Sequence, residues 1–193
     1  MVPGVVPVER VVGRNDEVAV YIASLQVYES GLTFELLVLG RTPERGDGPL
    51  GGGRGFGWSG LGPETPAGGL RLGVAFADGR RATARDDVHP DSRARDRVRL
   101  LPQGGGGSDT FHHVGMWVAP LPPEGPFAIV CDWPDHGLPE SRCVIDGAII
   151  AAAAARSQTL FSEDHLLPWD TPGEPDDEDG TDGGGWARYV PVG

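Results

Sequence analysis

Lysine is absent from this 193-residue chain: all sixteen basic side chains are arginine, and they face 28 acidic ones. The formal charge of -12 argues against a general affinity for nucleic acid or an anionic membrane, because an acidic surface repels both. Arginine-only usage beside abundant Ala, Gly, Pro, Asp and Val is a GC-rich codon signature, not a functional one. Long apolar runs are missing as well. The longest, Ala148 to Ala155, is far short of the ~20 residues a membrane-spanning helix needs. The opening MVPGVVPVERVV has no basic segment leading into an uninterrupted apolar stretch, so a secretory leader is not expected and the chain is assigned to the cytoplasm. Only two cysteines occur, Cys131 and Cys143, which favours free thiols over a disulfide framework.

What is present is β-prone sequence punctuated by turns. From Val18 to Gly40 two runs rich in Val, Ile, Leu, Tyr and Phe are separated by Glu29, Ser30 and Gly31. That pattern predicts a hairpin with a three-residue loop, Gly31 supplying a left-handed conformation. Pro7 marks Val5 to Val12 as an edge strand, since proline cannot donate to a ladder. Val18, Val20 and Ile22 share one face before the apolar set shifts phase to Leu25 and Val27, which predicts a bulge at Ala23 and Ser24. In the return arm Leu32, Phe34, Leu36 and Val38 share a face, while Leu37 and Leu39 opposite suggest burial on both sides. Leu70 to Phe76 and Arg80 to Ala84 read as a second hairpin about a two-residue turn, Asp78 and Gly79. That register sets Phe76 opposite Arg81, which requires either an exposed edge or a longer turn.

Two insertions interrupt the strands. Arg41 to Gly69 carries eleven glycines, and Arg85 to Asp109 is charged before ending in Gly104 to Gly107. Strands follow at Thr110 to Ala119, Phe127 to Trp133 and, briefly, Cys143 to Ile145; Asp146 then stands as the N-cap of an alanine-dense helix to Phe161. About seven short strands without strand-helix alternation give a mainly β protein, an antiparallel immunoglobulin-like or fibronectin-like β-sandwich with one C-terminal helix. Leu36, Phe76, Trp117 and Ile129 are its expected interior. One domain spans 1–167, and 168–193 is an acidic, Pro- and Gly-rich tail expected to be largely disordered.

Candidate chemistry is sparse. Gly55, Gly57 and Gly60 match the dinucleotide-binding glycine pattern, but no helix follows and the loop is saturated with glycine. His112 and His113 are adjacent, so on a strand they point to opposite faces and do not share an ion. Cys131 alternates with Ile129 and Trp133 and reads as an inert core thiol. The Asp176 to Gly180 run lacks the ligand spacing of a calcium loop. No cofactor and no metal are expected.

Two function classes follow. The first is a non-enzymatic interaction or accessory module with a protein partner. Its contacts would be Arg93, Arg95, Arg97 and Arg99, which alternate as a comb if extended, and Trp186 and Tyr189 near the C-terminus. The second is a hydrolase or a small-ligand or metal-binding protein, with Trp58, His112, His113, Asp132 and His136 gathered where the Gly-rich loop meets the histidine strand. The stretch from Gly104 through Phe161 contains WVAPLPPEGPF, CDWP and the alanine-rich helix. With the first hairpin and LRLGVAFADGRRAT, it resembles a family of β-sandwich-like proteins from high-GC bacteria with no assigned activity. The resemblance implies the sandwich and no catalytic residue.

The comb and the acidic Glu174 to Asp182 run are of opposite charge, which suggests that the tail shields the arginines until an acidic partner displaces it. Deleting 171–193 is then expected to tighten binding to an acidic bait at low salt; unchanged affinity contradicts shielding.

Overall fold

A computed structural model describes residues 1–42, 61, 67–84 and 97–160. Among these, nine strands run in chain order: β1 (Gly4–Arg14), β2 (Val18–Tyr28), β3 (Gly31–Gly40), β4 (Arg71–Ala75), β5 (Arg81–Thr83), β6 (Arg99–Ser108), β7 (Phe111–Ala119), β8 (Pro126–Trp133) and β9 (Leu138–Asp146). One helix follows, α1 (Gly147–Ala154). The strands form two antiparallel sheets, β1-β2-β3-β7-β6 and β5-β4-β8-β9. Their inner faces share a single interior, so the antiparallel sandwich with one helix read from the sequence is the architecture.

Alternation, shifted once by a bulge in β2, builds that interior. In β2 and β3, Val20, Ile22, Leu25, Val27, Leu32, Phe34, Leu36 and Val38 point inward. From the other sheet Leu72, Val74, Phe127, Ile129, Cys131 and Trp133 meet them. Phe76 and Phe127 close edge to face with ring centroids 5.9 Å apart. The β2–β3 register shifts between Ile22 and Leu25, which is the bulge at Ala23 and Ser24 that keeps the apolar set inward. β1, with Pro7, is an edge strand.

Several local expectations are corrected. The first turn has two residues, not three: Gly31 pairs with Tyr28 inside the ladder and is not left-handed. Glycine is needed there for space, because a Cβ would meet the Val118 carbonyl oxygen and lie 2.7 Å from the Trp117 ring. The left-handed glycine belongs to the second hairpin. There Gly79 has φ 86°, the loop is the three residues Ala77 to Gly79, and the Phe76 amide bonds the Arg80 carbonyl at 2.8 Å. Arg80, not Arg81, therefore stands opposite Phe76, with its guanidinium 5.3 Å from the ring centroid. Arg81 projects from the edge strand β5.

Trp117 is not an interior residue. Met116 takes the inward position in β7, and Trp117 lies half-buried on the outer face beside Tyr28, centroids 5.8 Å apart. Leu39 likewise faces outward, 43% exposed, so the end of β3 is not buried on both sides. The polyglycine run is a strand, not the end of an insertion: Gly104 to Gly107 pair with β7. A Cβ on Gly105 or Gly107 would strike the β7 backbone, so only glycine lies this close. Cys143 to Ile145 extends to the nine residues of β9, and the helix stops at Ala154, short of Phe161. Asp146 caps it as expected, accepting from the Ala148 amide at 2.9 Å.

Gly31→Ala is expected to lower unfolding free energy in urea by about 2 kcal/mol or more, since the neighbour is sheet backbone. Gly79→Ala is expected to cost ~1 kcal/mol, because only a left-handed backbone is strained. Equal, negligible losses contradict the placement of Gly31.

Candidate interaction surfaces

The predicted site residues fall in separate places. His112 is inside the sandwich at 6% exposure, paired across the strands with Val38 and Gly107. His113, one residue on, faces outward and holds Glu35 through Nδ1 at 2.7 Å. Asp132 lies on the outer face of the other sheet, where its carboxylate accepts two hydrogen bonds from the Arg71 guanidinium. That partnership holds Arg71 above its ordinary value, first through the hydrogen bonds and then through the carboxylate's charge. His136 ends a short 3-10 turn, Pro134–His136, and its ring meets Trp133 edge-on at 4.1 Å; its carbonyl accepts from the Asn15 side chain at 2.6 Å. His113 and Asp132 therefore sit on the outsides of different sheets, and the structure does not bring them into one pocket. Arg97 and Arg99 are exposed with Val98 and Leu100 buried between and beyond them, the alternation of an extended comb. Trp58, Arg93, Arg95, Trp186 and Tyr189 lie outside the described residues.

The thiols are chemically quiet. Cys131 is 1% exposed, and desolvation, followed by the nearby Asp132 charge, pushes it up from 9.0 to about 12. Burial raises Cys143 as well. Neither is a thiolate near neutral pH, so neither acts as a nucleophile or soft ligand without opening the core. Among the described residues no three His, Cys, Asp or Glu side chains gather to hold a metal ion. No helix among them is long and apolar enough to cross a membrane.

Two concave or apolar surfaces stand out instead. On the outer face of the four-stranded sheet an open groove of ≈ 570 Å³ has Gly73, Ala75 and Val130 as its floor, with Arg81, Thr83, Arg142 and the Arg71–Asp132 pair around it. Small side chains make the depression.

The outer face of the five-stranded sheet is the larger departure from expectation, since outward positions of a sandwich are ordinarily polar. Register aligns Val11, Tyr21, Leu37 and His113 in one row across β1, β2, β3 and β7. The adjoining row is Ala19, Leu39 and Phe111. Toward the other end of the sheet Thr33, Trp117 and Leu101 align, with Tyr28 against Trp117. Phe111 stacks on His113, centroids 6.0 Å apart and planes 14° apart. Sequence reasoning missed this face because Leu37 and Leu39 were assigned to two-sided burial and Trp117 to the interior. The signal was there in the apolar residues that occupy the out-of-phase positions of β3 and β7.

Comparison with protein-family models, with curated proteins and with solved structures finds no match.

A thiol held above its unfolded value stabilises the fold at neutral pH and loses that contribution as the pH rises. The unfolded thiol releases its proton from about pH 9, the folded Cys131 thiol only near 12. Stability is therefore expected to fall across that window by roughly 4 kcal/mol from Cys131, and Cys131→Val is expected to remove that part of the slope. A thiol reagent at pH 8 is expected to leave the native chain unlabelled and to find both cysteines in urea; rapid native labelling contradicts this burial.

Proposed function

We propose that this protein is a non-enzymatic module that works through protein contacts, with the outer face of its five-stranded sheet as the partner-binding surface. The observation that carries the reading is the pair of adjoining rows of outward apolar and aromatic side chains, Val11, Tyr21 and Leu37 beside Leu39 and Phe111, on a face where a free sandwich carries polar ones. Tyr and Trp are the residues on which binding energy concentrates, because they offer large area at small entropic cost, and Tyr21, Tyr28 and Trp117 all belong to this face.

The charge pattern adds direction. Arg97 and Arg99 stand exposed on and just before the edge strand β6, so the apolar face is bordered on that side by cations in a chain that is otherwise acidic. The partner that fits is apolar at its centre with acidic residues toward that border, and the arginines steer its approach at low salt. The protonated, buried thiols and the separation of His113 from Asp132 favour this reading over a hydrolase.

Leu39→Glu with Phe111→Ala leaves the inward residues untouched. A tagged chain in cells of the source organism, with proximity labelling, is expected to lose at least tenfold of its main enriched partner on that double substitution, with an unchanged circular dichroism spectrum. An identical partner set from the variant and the native chain contradicts the assignment of this face.

A further inference from the structure

Helix α1 reads GAIIAAAA and is apolar around its whole circumference. A helix of that composition belongs in an interior. Yet only Gly147, Ile150 and Ala153 are buried, and Ala148, Ile149, Ala151, Ala152 and the C-cap Ala155 face outward. The helix is fixed in this pose: a Cβ on Gly4 would strike the Ala153 carbonyl, Val2 and Gln158 exchange backbone hydrogen bonds of 2.8 and 2.9 Å, and Arg156 donates to the Val5 carbonyl at 3.0 Å. Those ties draw β1 and its lead-in against the helix. Of the eight large apolar residues that are exposed among the described ones, five, namely Met1, Val2, Val5, Ile149 and Leu160, belong to this helix or to the segments tied to it.

We infer that α1 is a self-association surface, packing antiparallel against the same helix of a second copy about a twofold axis. Charge selects this occupant. From Gly147 to Ala155 there is no charged side chain at all, so a second copy laid on this face meets no like charge there. The charges that bound the stretch are opposite in sign: Asp146 at the N-cap and Arg156 just past the C-cap, both exposed. Antiparallel packing sets Asp146 of one copy beside Arg156 of the other at both ends, and opposes the two helix dipoles favourably. Parallel packing sets like charge on like.

Spacing allows the approach. Ala148 and Ala152, and Ala151 and Ala155, are pairs four apart, so the outward face is two rows of methyl groups with Ile149 as its one large projection. Small residues let the axes come to about 8 Å, and Ile149 of each copy fits the low ground at Ala152 of the other. The patch is small, so the dimer is weak and transient rather than permanent. It lies on different residues from the proposed partner face and does not depend on that reading; joined this way, two copies present two such faces.

Sedimentation of the full chain across a concentration series tests it. The weight-average mass is expected to rise from 20.3 kDa toward twice that value, and Ala152→Glu, at an exposed helical position, is expected to stay at 20.3 kDa. Because both native thiols are buried, Ala152→Cys treated with diamide is expected to give a covalent dimer on a non-reducing gel, whereas Glu124→Cys gives none. A native chain that stays at the monomer mass up to ~1 mM, Ala152→Glu that associates like the native chain, or equal cross-linking of the two cysteine variants overturns the inference. Loss of association on Leu39→Glu but not on Ala152→Glu overturns it too, and assigns self-contact to the other sheet.

Discussion

The pairing of β3 with β7 is the constraint on which the rest of the molecule depends. Leu32 lies across from Val118 and Leu39 from Phe111, strands far apart in sequence joined over their full length at the centre of the larger sheet. That register puts Phe34 beside Met116 and Leu36 beside Val114 on the inner face, all of them buried. Everything on the outer face follows from it, because a slip by one residue would exchange the two faces. His112 inside and His113 outside, Met116 inside and Trp117 outside, are consequences of one alignment.

Period-two patterning in β2, β3, β7 and β8 made the sandwich legible, and Asp146 before an alanine run made the helix start legible. Other features were hidden because long-range neighbours decide them. Gly31 looks like a turn glycine locally and is a packing glycine only once β7 and Trp117 lie beside it. Gly104 to Gly107 have no side chains to alternate, so nothing in their own sequence marks a strand; close approach to β7 is what holds them. Trp117 is turned outward by the alternation that Val114, Met116 and Val118 fix, whatever its own size favours. The alternation of exposed Arg97 and Arg99 with buried Val98 and Leu100 was readable in the sequence, while the outward rows of β3 and β7 needed the register to be seen as one surface.

The interior is chemically inert. Both cysteines and His112 sit where solvent hardly reaches, and the thiols stay protonated. Among the described residues, most of the large apolar side chains that folding did not bury lie in two separate places, the outer face of the five-stranded sheet and the outward face of α1 with the segments tied to it, Val144 of β9 apart. Leaving large apolar groups in water is unfavourable at ~25 cal/mol per Å², so both surfaces gain free energy when covered. Ion pairs add little to this balance, since the Arg71–Asp132 and Arg80–Asp78 pairs are solvent-exposed.

Native-state hydrogen exchange tests the central role of the β3–β7 pair most directly. The amides from Leu32 to Leu39 and from Phe111 to Val118 are expected to exchange last, with an opening free energy equal to that of global unfolding in denaturant. Opening of those amides at a lower free energy than the β8–β9 ladder would contradict it.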